Sequence, residues 1–123
     1  EKYAFLNTPH TVTNKTGCLY CGDYNTKPAK NLNQLKSCYK NVWDKIGTIQ
    51  IPHHGSKYNF PPKSKVLDLL GGIPIAVISS GKDSSHPHAE VRDLIIHNVQ
   101  KYYNVTEINP SRHRQCIWRN EDI

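Results

Sequence analysis

At 123 residues, 37% of them hydrophobic, the chain has room for one domain or for part of a larger one. Its core must be modest, because small domains bury proportionately less surface. No apolar run approaches the roughly 20 residues that span a bilayer, and residues 1–6 lack a signal-peptide pattern. A net charge of +6 favours acidic partners such as nucleic acid or phosphorylated substrates. Its Lys and Arg residues are scattered, however, and a basic solvated surface fits equally.

The chain opens on Glu1 and contains no Met, which we read as part of something longer. Residues 3–6 and 17–21 look like strands joined through the turn Asn14-Lys15-Thr16-Gly17. Leu32, Leu35, Tyr39, Val42 and Ile46 recur at three- and four-residue steps and predict a helix over 29–44. Residues 48–51 alternate as a short strand, and 52–60 are a polar loop. Pro61-Pro62 opens a short helix through Val66 and Leu70 that Gly71-Gly72 stops. The continuous apolar run 73–78 predicts a buried strand. Pro87 suits the first turn of a helix with Val91, Leu94, Ile95 and Val99 on its apolar face. Residues 105–108 and 115–118 close the chain as strands. Helices alternating with strands indicate an α/β layered domain.

Three polar clusters follow predicted strands, where sheet-based enzymes place reactive groups. They are Cys21-Gly22-Asp23, then Pro52-His53-His54-Gly55-Ser56, then Ser79-Ser80-Gly81 leading to Ser85-His86-Pro87-His88. Asp oxygens and neutral His nitrogens are ligands for zinc and similar ions. Each cluster also has a plain explanation: a turn Asp, a solvated His pair, a helix start. Their joint occurrence in this order is harder to dismiss. Cys18 and Cys21 have zinc-ribbon spacing, but no second such pair exists. Three positions apart on a strand they should face opposite ways, neither paired nor sharing a zinc.

The segments 19–25, 49–60 and 76–91 resemble three successive motifs of the metallo-β-lactamase superfamily. The closest branch holds the nuclease-like domain of ComEC-type DNA-uptake proteins. The resemblance implies half of an αββα sandwich, a mixed sheet flanked by helices, with a site for two divalent ions, Zn²⁺ or Mn²⁺. On it, Asp23 bridges the ions and His53 or His54 supplies a further metal ligand. His86 and His88 lie near the substrate or behind the metal ligands, and Ser56 and Gly55 offer hydrogen bonds from the same turn. Departures accompany the likeness. The main His-x-His-x-Asp-His motif occurs nowhere in the sequence, Cys21 stands where relatives commonly have Thr, and Ser85 where they commonly have Gly.

The resemblance therefore implies a metal-dependent hydrolase of a phosphodiester or related ester, nucleic acid or nucleotide favoured. Activity would need a further half of the fold, or another chain, to complete the ligand set. Ile49, Ile51, Ile75 and Val77 are expected to border the surface where that half packs. The rival reading is a non-catalytic basic module that retains the fold and holds an acidic partner.

Overall fold

A computed structural model describes residues 14–81 and 84–106. Its spine is four strands: β1 (Gly17–Tyr20), β2 (Ile46–Gln50), β3 (Ile75–Ser79) and β4 (Lys101–Val105). They lie side by side in chain order, and every pairing is parallel. A mixed sheet was expected; among the described residues it is parallel throughout. The strands expected at 3–6 and 115–118, like Cys116, lie outside the described residues.

Parallel neighbours require a crossover, and three helices supply it: α1 (Ala29–Cys38), α2 (Val66–Leu70) and α3 (Ala89–Asn98). Crossovers of one hand between adjacent strands in chain order all land on the same face. The core agrees. Leu19, Ile49, Ala76 and Tyr102 are in register across the sheet. They pack with Leu32 of α1, Leu69 and Leu70 of α2, and Val91 and Ile95 of α3. Ile49 and Ile51 therefore lie under the helices, 0% and 2% exposed, which corrects their expected place at the opposite surface. Ile75 and Val77 alternate onto that opposite face, beside Thr48 and Gln50.

Element boundaries differ from the expected ones for local reasons. α1 stops at Cys38, because the chain tightens into i→i+3 bonds, Val42 N–H to Tyr39 O and Lys45 N–H to Val42 O. Tyr39 and Val42 continue the helical spacing yet are exposed, and Ile46 opens β2 instead. β3 starts after Pro74, which has no N–H for the ladder; its carbonyl accepts from Gln100 and Lys101. β4 runs 101–105 rather than 105–108. Pro87 precedes α3, whose N-cap is His88.

Because the strands are parallel, β1, β2 and β3 all end at one edge. Their trailing segments carry the three polar clusters to that edge together.

Candidate functional site

The segment after β2 bends sharply. His53, His54 and Gly55 have φ of 49°, 54° and 81°, three consecutive left-handed positions. That conformation costs an L-residue about 1–2 kcal/mol, so its persistence at two histidines calls for tertiary support. The support is visible. His53 N–H donates to Gly22 O at 2.8 Å, and Ser56 N–H to His53 O at 3.0 Å. His88 N–H donates to Gly55 O at 3.2 Å. A Cβ on Gly55 would meet the Pro87 Cβ at 2.6 Å, so glycine is required there on two counts.

Asp23 sits on the tight turn after β1, closed by Tyr24 N–H to Cys21 O. Gly22 takes φ +54° there, and its N–H donates to Gln50 Oε1 at 3.0 Å. The Asp23 turn is thus bonded on one side to β2 and on the other to His53. Farther along the same loop, Thr26 is fully buried; its N–H and hydroxyl both donate to Asn59 O. Asp23 itself is exposed. The sequence-predicted clusters are therefore brought together at one sheet edge, with His86 beside His53, His54 and His88.

The imidazoles are not equivalent. His54 Nδ1 lies 2.5 Å from Ser79 O. A carbonyl only accepts, so Nδ1 carries a proton, and in the neutral ring that leaves the Nε2 lone pair free. A histidine anchored to a backbone carbonyl in this way is oriented as metal ligands usually are. His88 is the reverse. Its Nδ1 accepts the Lys57 N–H at 3.0 Å, so the neutral ring carries its proton on Nε2 and presents a donor. His86 packs edge-on to His88, ring centroids 4.6 Å apart. Desolvation first, then the nearby His88, His54 and His53, lower the His86 pKa below its ordinary value and favour the neutral ring. Ser56 is buried, and its Oγ accepts the Tyr58 N–H at 3.3 Å, a bond that serves the turn itself.

Among the described residues no group of three or more His, Cys, Asp or Glu side chains is disposed to hold a metal ion. The donor chemistry fits a partial set: an exposed carboxylate at Asp23 and an anchored imidazole at His54. Cys18 and Cys21 share no such set among the described residues. Cys18 is exposed and Cys21 buried, on opposite faces, and both are free thiols. Burial pushes the Cys21 pKa up to about 12, which keeps it a neutral core thiol.

Two positioning groups had no such role read from sequence: the Gln50 side chain and the Ser79 carbonyl. Gln50 could have been, as the one amide side chain on β2. Ser79 acts through its backbone, which no side-chain pattern reveals. No family model, curated protein or solved structure matches the chain. Among the described residues no helix is long and apolar enough to cross a membrane.

Proposed function

We propose that the chain provides part of a metal-dependent hydrolase acting on a phosphodiester or related ester, with a nucleic acid or nucleotide as substrate. On this reading it is half of an αββα sandwich of the metallo-β-lactamase type. The observation that carries it is the left-handed His53-His54-Gly55 turn. It costs conformational energy, orients His54 through Ser79 O, and stands at the sheet edge shared by Asp23 and His86.

Asp23 and His54 would hold the metal, and His54 is preferred over His53 because its Nε2 is fixed as an acceptor. Two bound divalent ions, Zn²⁺ or Mn²⁺, would supply an acidified water and charge neutralisation at the attacked phosphorus. His88, with its proton on Nε2, donates a hydrogen bond to a non-bridging phosphate oxygen. His86, held neutral, can accept a proton near the same group.

The reading expects no hydrolysis from these 123 residues alone, since the His-x-His-x-Asp-His ligands are not among them. Activity should appear once a segment bearing that motif is joined to the chain. The test assays a generic phosphodiester with added Mn²⁺ or Zn²⁺, using the chain alone, the completed protein, and its Asp23→Ala and His54→Ala variants. Both variants should lower kcat by orders of magnitude in the completed protein. Full activity in the chain alone, or undiminished activity in Asp23→Ala, refutes the assignment. An inactive completed protein leaves the basic binding module standing.

A further inference from the structure

A groove of about 870 Å³ opens between the segment after Ser56, α2 and α3. Its floor is apolar, with Phe60 and Val66 buried and Leu94 packed against the core. Three lysines, Lys27, Lys57 and Lys63, line it, while Glu90 and Asp93 of α3 also border it.

The groove begins where the candidate site ends. Lys57 follows Ser56 and its backbone N–H donates to His88 Nδ1. The Tyr58 ring stands edge-on to His88, centroids 6.0 Å apart. Lys27 lies four positions after Asp23 on the same loop. The loops that form the site therefore also supply the cations and the aromatic ring of the groove.

Tyr58 is 66% exposed, and the Lys57 ammonium lies over its ring, 5.4 Å from the centroid. A flat ring beside a cationic rim is the arrangement on which an unpaired base stacks while its phosphates meet lysine. Lys57 already pairs with Glu90 at 3.4 Å. Lys27 and Lys63 form no ion pair among the described residues, so their charge is available to an anion. The acidic α3 side repels phosphate but can accept from base amino groups, which orients a strand across the groove.

We propose that this groove binds single-stranded nucleic acid flanking the scissile phosphodiester, with a base stacked on Tyr58 and phosphates on Lys27 and Lys63. The proposal rests on the phosphodiester reading of the adjacent site. It excludes a duplex, whose bases are stacked on one another and offer no free face to Tyr58.

The experiment is fluorescence anisotropy with a labelled single strand of about twelve nucleotides, in EDTA so that binding is read without turnover. Tyr58→Ala should weaken binding about tenfold, and Tyr58→Phe, which keeps the ring, should bind as the parent does. Lys27→Ala with Lys63→Ala should weaken binding and flatten its salt dependence. All of these side chains line the surface groove, and thermal melts run alongside check that the variants fold. Unchanged affinity in Tyr58→Ala and in the lysine pair overturns the proposal. So does a duplex bound as tightly as the single strand, or polyglutamate that competes as well as an oligonucleotide of equal charge.

Tyr58-dependent binding with no hydrolysis in the completed protein sinks the phosphodiester reading alone. Hydrolysis with binding indifferent to Tyr58, Lys27 and Lys63 sinks the groove alone.

Discussion

Gly55 and Gly22 both have positive φ, yet their surroundings differ, and substitution separates backbone strain from crowding. At Gly22 a Cβ meets nothing within 4 Å, so Gly22→Ala should cost about 1 kcal/mol, the left-handed penalty alone. At Gly55 the Cβ meets Pro87 at 2.6 Å and the Ile78 side chain at 3.1 Å. Gly55→Ala should therefore cost about 2–4 kcal/mol, read from urea unfolding midpoints. Equal effects at the two glycines would contradict the packing described. The two histidines of the turn should also part company. His54→Ala removes the anchored ring and should reduce Mn²⁺ affinity in the completed protein at least tenfold. His53→Ala should reduce it less; calorimetric titration compares them, and the opposite order rejects His54 as the ligand. His86 gives a pH signature. Its folded pKa lies below the ordinary 6.5, so as pH falls the unfolded chain takes up the proton first. Stability is then lost below about pH 6.5 and is present above it. In EDTA, His86→Gln should make the urea midpoint less sensitive to pH across that window; an unchanged pH profile argues against it.

The loop carrying the candidate ligand Asp23 is held at a distance from it, through Thr26. Thr26→Val keeps the volume but leaves the Asn59 carbonyl with one donor where it had two. The expected loss is about 1 kcal/mol, visible in thermal melts as a fall of several degrees for a domain of this size. A variant as stable as the parent would show that the hydroxyl is dispensable. Elements of this kind mark the boundary of what sequence reveals. Strand β3 was legible as a continuous apolar run, β2 as an alternating run ended by Pro52, and β1 as a short run opened by the turn at Gly17. The three polar clusters were legible because each follows such a run. β4 was misplaced because Lys101, Tyr102, Tyr103 and Asn104 do not read as apolar, and only pairing with β3 makes them a strand. The end of α1 was misread because Tyr39 and Val42 keep helical spacing without burial. The proposed preference for His54 over His53 lay beyond sequence altogether, since it rests on a carbonyl from a strand 25 positions away.

At the scale of the whole molecule the sheet has two unlike faces. All three described helices cover one, while Cys18, Tyr20, Thr48, Gln50, Val77 and Tyr103 lie on the other. Tyr20 is 79% exposed there. If this face receives the other half of a sandwich, the chain alone should self-associate through it, and Tyr20→Glu should shift sedimentation towards monomer. A parent chain that stays monomeric at high concentration argues against that half. The parallel topology has a kinetic consequence as well. With no hairpins among the described strands, each pairing closes a crossover of some 20 or more residues, so contact order is high and folding is slow for the size. The bonds His53 to Gly22 and His88 to Gly55 each join different crossovers, and His54 to Ser79 ties a crossover to the far end of the strand it leads into. None can form from a local nucleus. A metal ion held by Asp23 and His54 would therefore find its ligands assembled only after β1, β2 and β3 had docked, and could lock the finished sheet but not seed it.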